Sequence, residues 1–300
     1  MTEITSDHIV LAKPEAVRQR SPLYFAWRRF VANKLAVGAG IVLLIIVLAA
    51  VFAPLITTTG PNDQAFLTSA RAFPSPSHWF GVDDLGRDLF TRILYGAQVS
   101  LGIGLSAAVF SLFIGLPLGA LAGYLGGGVD WAIMRVIELF SVVPPLLAAL
   151  LLATLTRGGF WAIILIAGMF GWKDVALLVR AQIKSFREKE FIMAAQALGA
   201  SPWQIIWRHL IPNSVSPIIV GFVLAIPLAM MLEASLGFLG IGVQPPTPSW
   251  GQMINTGMNF MFFYWHLELF PTAALAVTIL AASLLGDGLR DAFDPTLKGR

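Results

Sequence analysis

Long runs of apolar residues, separated by shorter polar segments, make up most of the 300-residue sequence. Six of these runs approach or exceed the ~20 residues that a helix needs to cross the ~30 Å hydrocarbon core of a bilayer. They lie at about 35–56, 99–125, 131–155, 160–179, 216–239 and 269–285. The pattern therefore predicts an all-α integral membrane protein with six transmembrane helices.

The polar segments predict which side of the membrane each loop occupies. Basic residues cluster before the first run and again after the fourth, and the positive-inside rule places such segments in the cytoplasm. Both termini are then cytoplasmic. The predicted order is a cytoplasmic segment with a surface helix (1–34), a first transmembrane helix (35–56), an extracytoplasmic segment (57–98), a membrane core with a cytoplasmic loop at 183–213 (99–290), and a cytoplasmic tail (291–300).

Local patterns within these segments predict finer structure. In the extracytoplasmic segment we expect an amphipathic helix that starts at Asp84 and is capped by Asp83. The second run carries glycines at a four-residue spacing that allows a neighbouring helix to approach closely. These are Gly115, Gly119 and Gly123. In the third run, Pro144 and Pro145 predict a kink.

Composition supports a membrane protein and excludes several other classes. Hydrophobic residues make up 57% of the chain and charged residues 12%, against about a quarter charged in an average soluble domain. There is no cysteine, which excludes disulfides and thiolate metal sites. The basic residues are spread through loops, so no nucleic-acid partner is predicted. The histidines lack the spacing of metal ligands: His8, His78, His209 and His266.

Sequence motifs for catalysis are missing as well. The chain has no Gly-Lys dipeptide, and so no phosphate-binding loop for ATP hydrolysis. It has neither the His-Glu-x-x-His pattern of zinc peptidases nor the Gly-x-Ser-x-Gly pattern of serine hydrolases. We therefore predict a protein that is not an enzyme and has no cofactor of its own.

The stretch 190–213, inside the predicted cytoplasmic loop, indicates two short helices joined by a rigid corner. Gly199 stands where the first helix ends, a position that favours a left-handed glycine. Ser201 and Gln204 have the spacing of a capping box at the start of the second helix, which Pro212 is expected to end. Such an element presents apolar side chains that suit a groove on another protein.

This stretch resembles the EAA loop of bacterial ABC-importer permeases, whose pattern is Glu-Ala-Ala, three residues, Gly, nine residues, Ile-x-Leu-Pro. Four residues match it: Ala194, Ala195, Gly199 and Pro212. Met193 stands where the signature glutamate is usual, and Glu190 is the candidate substitute one turn earlier. The resemblance implies that the loop couples the membrane helices to ATPase subunits through Glu190, Ala194, Ala195, Gly199, Ala200, Ser201, Ile206, His209 and Pro212.

Further motifs extend the resemblance from about residue 22 towards the C-terminus. The His-x-x-Pro-Asn end of the loop, the Gly-Val-Asp-Asp-Leu-Gly-Arg-Asp run and the Gln-Pro-Pro-x-Pro-Ser-Trp-Gly run are similar to C-type subunits of dipeptide and oligopeptide permeases. The resemblance implies a type-I ABC-importer permease fold, with a five-helix core and one added N-terminal helix. It also implies import of short peptides across the bacterial inner membrane.

The same resemblance implies partners. A homologous second permease subunit would complete the translocation path, two ATPase subunits would bind ATP and Mg²⁺, and an extracytoplasmic solute-binding protein would deliver the solute. Membrane lipid would surround the helices. Two alternatives stay open: the same machinery carrying a nickel chelate, an oligosaccharide or glutathione, and a secondary transporter driven by an ion gradient.

Side chains inside the predicted spans are candidates for the translocation path: Glu138, Pro144, Met230, Met231 and Glu233. Ionisable residues within a membrane often mark such a path, but a glutamate can equally hydrogen-bond between helices. Both interpretations stay open for Glu138 and Glu233. Lys173 and Asp174 are expected near the cytoplasmic end of the fourth helix, where their opposite charges neutralise each other.

Overall fold

The computed structural model describes residues 22–293, which are mostly helical. The first helices are α1 (Pro22–Ala32), α2 (Lys34–Val51), α3 (Ala53–Ile56) and α4 (Leu89–Leu125). They are followed by α5 (Gly127–Val142), α6 (Pro145–Thr156), α7 (Phe160–Arg187) and α8 (Glu190–Ala197). Next come α9 (Pro202–Gln204), a π-helical segment (Ile205–Leu210) and α10 (Ile211–Asn213). The last helices are α11 (Val215–Phe238), α12 (Trp250–Met258) and α13 (His266–Phe293).

Five helices in the described part of the chain are long and apolar enough to cross a membrane: α2, α4, α7, α11 and α13. α5 and α6 pass the same test as a pair bent by 82°, which makes six spans if the pair counts as one. The predicted all-helical membrane fold is confirmed, and so is the bend at Pro144 and Pro145. Adjacent prolines break the helix because each lacks the N–H that an interior turn needs, and Pro145 then starts α6.

The N-terminal helices pack on the last helix. Asn33 separates α1 from α2 and caps α2 by accepting the N–H of Ala36 at 3.1 Å. α2 and α13 approach so closely that a side chain at Gly288 would collide with the Ala36 methyl group. The predicted first span is interrupted at Phe52, because Pro54 stands in the first turn of α3.

α4 starts at Leu89 and not at Asp84, so the predicted start is wrong. Asp88 is its cap, and the carboxylate accepts a backbone N–H of the first turn at 2.8 Å. The Asp83 carboxylate instead accepts two N–H groups of the preceding turn, both at 2.9 Å, and bends the chain before the helix begins. The helix then runs unbroken for 37 residues, or about 55 Å at ~1.5 Å per residue, so the predicted amphipathic helix and second span are one helix.

The three regularly spaced glycines on α4 lie at the contact with α7. A Cβ on Gly115 would lie 2.5 Å from the Trp172 carbonyl oxygen, and a Cβ on Gly123 would lie 2.9 Å from the Arg180 oxygen. A Cβ on Gly119, between them, would collide with the Ala176 oxygen. The backbones of the two helices therefore touch over two helical turns, a contact that only glycine permits.

α12 is a helix that the apolar pattern does not predict. Ser249 caps it by accepting the Gln252 N–H at 3.3 Å. The Trp250 ring is buried and donates its N–H to the Ile93 carbonyl at 3.0 Å, while the Trp250 backbone N–H donates to the Ser100 hydroxyl at 3.2 Å. These contacts fix α12 to the N-terminal turns of α4.

Residues 57–88 cover the same end of the bundle and are held there by paired charges. Arg87 Nε donates to Asp83 Oδ2 at 2.6 Å. Arg92, only 2% exposed, donates to the carbonyl of Pro61 at 2.8 Å. Arg92 also pairs with the Asp83 carboxylate, Nε to Oδ2 at 3.4 Å. Because buried guanidinium groups are stable only when their donors are satisfied, Arg92 ties the segment to α4.

We expect Gly119→Ala to lower the thermal unfolding midpoint of the protein in detergent. The added methyl group would meet the Ala176 carbonyl, and overpacking of this kind costs about 1–3 kcal/mol. Gly38→Ala in α2 is the matched control, since no atom lies within 4 Å of its added methyl group. Its midpoint should equal or exceed that of the wild type, because alanine is favoured over glycine in helices. Equal losses in both variants would contradict this account of the packing.

Candidate functional site

The chain between α7 and α11 forms two helical pieces joined at Gly199, as the sequence predicts. α8 ends at Ala197, and Gly199 follows with φ of +82°, in the left-handed region. No atom lies within 4 Å of the position that its Cβ would take. The backbone conformation, and not a lack of space, therefore requires glycine at this corner.

The predicted capping box at the start of α9 is confirmed. The Ser201 hydroxyl accepts the Gln204 N–H at 3.3 Å, and the Gln204 side chain accepts the Ser201 N–H at 2.9 Å. Pro202 occupies the first helical position, where no N–H is needed. The corner is thus fixed by glycine on one side and by reciprocal hydrogen bonds on the other.

Pro212 does not end the second helical piece, so that prediction is wrong. The helix continues through Pro212 to Asn213 and ends at Ser214, whose φ is −101° and ψ 5°. The proline is accommodated because the preceding turn is π-helical and Pro212 stands at the second position of α10, where its missing N–H is not needed. Asn213 donates its side-chain amide to the His209 carbonyl at 2.6 Å and strengthens this end.

One face of these helices, the inner face, packs against the bundle. Its buried side chains are Ile192, Ile205, Ile206 and Leu210. They form one apolar cluster with residues of α4 and α7, namely Tyr124, Val179 and Ile183. Ile206, one of the predicted coupling residues, therefore holds the loop on the bundle, and its side chain is enclosed in this structure.

The other face, the outer face, exposes large apolar side chains: Phe191, Met193, Leu198, Trp203 and Trp207. Leu198 is 89% exposed, and the rings of Trp203 and Trp207 lie 5.4 Å apart. Because these side chains lie in a loop outside the predicted spans, they make the outer face a candidate interaction surface. None of these five residues was predicted as a coupling residue. The sequence does contain one signal for this face, a pair of tryptophans at i and i+4, away from the isoleucines.

The predicted coupling residues divide between the two faces. Five are exposed: Glu190, Ala194, Gly199, Ser201 and Pro212. Three are partly buried: Ala195, Ala200 and His209. Most of them therefore lie on the accessible side of the loop, together with the outer face.

A second candidate site is an open cavity of about 620 Å³ between α4, α6, α7 and α11. Its wall is mostly apolar and includes Leu224, Leu228 and Met231. Of the five residues predicted for a translocation path, Met231 lines this cavity, and Pro144 directly precedes the lining residue Pro145. The other three lie elsewhere.

Glu233 is fully buried and forms a hydrogen bond between helices. The Ser100 hydroxyl donates to Glu233 Oε2 at 3.1 Å and accepts the Trp250 N–H at 3.2 Å, so α4, α11 and α12 meet at one polar contact. Met230 belongs to the same apolar cluster as Trp250. Glu138 lies on α5, where it is exposed and forms an ion pair with Arg135, one turn earlier in the same helix. This geometry favours the interhelical interpretation of Glu233 and places Glu138 away from the cavity wall.

Lys173 and Asp174 lie in the middle of α7, which is longer than the predicted span of about 160–179 that ends shortly after them. α7 continues past the predicted end to Arg187, because the charged residues that follow the apolar run still form regular helical turns. The pair therefore lies about 20 Å from either end at ~1.5 Å per residue. Both residues line the cavity, and Lys173 Nζ donates to Asp174 Oδ1 at 2.9 Å.

Metal-ligating side chains are scattered. Among residues 22–293, no three or more His, Cys, Asp or Glu residues come together in a group that could hold a metal ion. The two candidate sites are thus an exposed apolar surface on the loop and a cavity with one ion pair.

Known proteins similar to this chain are membrane transport components. Residues 115–299 match the family described as the binding-protein-dependent transport system inner membrane component, and residues 21–74 match the N-terminal TM domain of oligopeptide transport permease C. The oligopeptide transport system permease protein OppC of Bacillus subtilis is 38% identical over 274 residues, which cover 91% of this chain and 89% of the relative.

Two further relatives have similar identity. The dipeptide transport system permease protein DppC of Bacillus subtilis is 40% identical over 274 residues, 91% of this chain and 85% of the relative. The glutathione transport system permease protein GsiD of Pectobacterium atrosepticum is 38% identical over 279 residues, 93% of each chain. Among solved structures, a chain of the MetNI methionine ABC transporter in an inward-facing conformation superposes with a TM-score of 0.54 at 17% identity, covering 68% of this chain and 97% of that chain.

We expect Gly199→Val to impair the function of the loop more than Gly199→Asn. Both side chains have space, but a β-branched residue is poorly tolerated at positive φ, whereas asparagine adopts this conformation readily. The measurement is binding of the purified protein to its partner proteins, together with transport, at equal membrane levels of the variants. Ser201→Ala, which removes a cap worth about 0.5–2 kcal/mol, should be milder than Gly199→Val. Wild-type binding and transport by Gly199→Val would show that the corner is not needed.

Proposed function

The chain belongs to the family of inner-membrane permeases of binding-protein-dependent transport systems, in its OppC/DppC-like peptide branch, and on this premise we propose that it forms half of an ATP-driven import path for short peptides. As a permease subunit of an ABC transporter, it is a multi-pass protein of the bacterial inner membrane and is not itself catalytic. Permeases of this family carry no bound cofactor, and they work with ATPase and solute-binding partners. This leaves no role for an ion-coupled secondary transporter.

The relatives support peptides as the solute class. Two of them are named for oligopeptides and dipeptides and one for glutathione, which is itself a γ-linked tripeptide. All three solutes carry a free ammonium group and a free carboxylate on a short amide backbone. A peptide of two or a few residues is therefore the solute that we assign to this chain, ahead of nickel chelates and oligosaccharides.

The outer face of the loop is the surface that we assign to the ATPase. Its exposed apolar side chains, including Leu198, Trp203 and Trp207, suit a groove on a partner, in the manner of other helix-in-groove contacts. The inner face carries Ile192 and Leu210 into the apolar cluster with α4 and α7. Movement of the ATPase would thus pass directly to the two helices that support the cavity, and alternate its access between the two sides of the membrane.

The proposed path also requires a homologous second permease subunit. The cavity is open, and the side chain of Met231 on its wall is about half exposed. α5 is also exposed along most of its length. A second subunit of the same fold, placed against this side, would enclose the path between the two chains, with two ATPases below and a binding protein on the external side.

Reconstitution of the chain with its second permease, ATPases and binding protein in proteoliposomes tests the proposal. We expect uptake of labelled di- and tripeptides that requires ATP and stops when the ATPases are omitted. Unlabelled peptides, glutathione, an oligosaccharide and a nickel chelate are then added in excess as competitors. Competition by the oligosaccharide or the chelate, but not by peptides, would contradict the assigned solute.

Cysteine labelling tests the proposed topology, with both termini in the cytoplasm. The native chain has no cysteine, and three exposed positions report the two sides: Ser77, Thr247 and Gln204. In intact spheroplasts an impermeant thiol reagent should modify cysteine at Ser77 or Thr247 and leave cysteine at Gln204 unmodified. Disruption of the membrane should make Gln204→Cys reactive, which controls for accessibility. Labelling of Gln204→Cys from outside would reverse the topology.

A further inference from the structure

Lys173 and Asp174 form an ion pair in the middle of α7, on the wall of the cavity. α7 has 13 residues before the pair and 13 after it. Charged residues within a membrane-spanning helix are rare, and they usually face a water-filled cavity or a solute path. The apolar surroundings of the pair therefore require an explanation beyond the mutual neutralisation of two charges.

The two side chains differ in how much of their surface is exposed. The Asp174 side chain is 59% exposed and that of Lys173 17% exposed. Their one mutual hydrogen bond, from Nζ to Oδ1 at 2.9 Å, uses one of the three ammonium donors and one of the two carboxylate oxygens. Both residues therefore keep hydrogen-bonding capacity for a third group.

The rest of the cavity wall offers few polar groups to a solute. It is formed mainly by apolar side chains such as Phe170, Leu224 and Leu228, and its two serine hydroxyls, on Ser111 and Ser235, already donate to backbone carbonyls. The volume of about 620 Å³ falls within the range of about 300–1,000 Å³ typical of small-molecule sites. Such a wall accepts varied apolar and polar side chains of a solute, and the ion pair is its charged feature.

We propose that Lys173 and Asp174 recognise the two terminal charges of a peptide as it crosses the membrane. The peptide carboxylate pairs with the Lys173 ammonium, and the peptide ammonium pairs with the Asp174 carboxylate. This inference rests on the proposed function and adds to it the residues that select for free peptide termini. The pair has no net charge, so it attracts a zwitterion without holding a singly charged ion strongly.

Peptides with blocked termini test the assignment in the reconstituted complex. A tripeptide is compared with its C-terminally amidated and N-terminally acetylated forms, each delivered at saturating loaded binding protein. The uptake rate of each variant is divided by that of the wild type for the same peptide, which cancels the preference of the binding protein. Lys173→Gln should reduce uptake of the free peptide about tenfold, as expected for loss of one charge-assisted hydrogen bond, and change that of the amidated peptide little. Asp174→Asn should show the same pattern with the acetylated peptide.

Arg135→Gln is the matched control, because it also neutralises the cation of an ion pair but lies on the exposed side of α5. It should reduce uptake of all three peptides equally or not at all. A second measurement uses Asp174→Cys, which a small water-soluble thiol reagent should modify more slowly when a peptide is being transported. Protection of this cysteine is not expected from a purely structural ion pair.

Three results would overturn the inference. Equal effects of Lys173→Gln on free and amidated peptides would remove the role in selecting termini. Loss of the second permease on purification of Asp174→Asn would show that the pair contacts the partner subunit instead of the solute. Absence of peptide uptake by the wild-type complex would contradict the proposed function itself, whereas the first two results would contradict the inference alone.

Discussion

α4 and α7 touch along three glycines, Gly115, Gly119 and Gly123, so that their backbones meet without side chains between them. In a bilayer the lipid tails are as apolar as the helices, and association depends on close van der Waals contact and not on the hydrophobic effect. A glycine face gives the closest contact available to two helices. The loop packs on this pair, and both helices contribute to the cavity wall.

Both surfaces to which we assign a function contain residues of α7 or pack against it. Its C-terminal part, at Val179 and Ile183, receives the inner face of the loop. Its middle part carries Lys173 and Asp174 on the cavity wall, about 15 Å from Ile183 at ~1.5 Å per residue. On the proposed function, a force applied to the outer face of the loop would reach the cavity through one continuous helix that is packed tightly on α4. The long α4 in turn connects this end of the bundle to the segment 57–88 and α12 at the other.

Features that depend on neighbours along the chain could be predicted from the sequence: the spans, the glycine face, and the capping box of Ser201 and Gln204. Features that depend on competition between two possible helix caps, or on contacts between residues far apart in the sequence, could not be predicted. Asp88 and Asp83 are both good helix caps, and the turn that binds the Asp83 carboxylate decides between them. Pro212 is accommodated by a π-helical turn that no local pattern reveals. The central position of Lys173 follows from the extension of α7 beyond its apolar run, and α12 from a tryptophan contact with α4.

The central claim is that the loop and the α4–α7 pair move as one body when the ATPases close. Spin labels on cysteines at Leu125, at the end of α4, and Gln204, in the loop, measure this directly, since both positions are exposed and the chain has no native cysteine. Their separation is measured by pulsed electron paramagnetic resonance in the assembled transporter, without nucleotide and with ATP trapped. We predict the same mean distance in both states, while the distance from Gln204 to an equivalent label on the second permease changes. A change within the chain as large as the change between the chains would contradict rigid coupling.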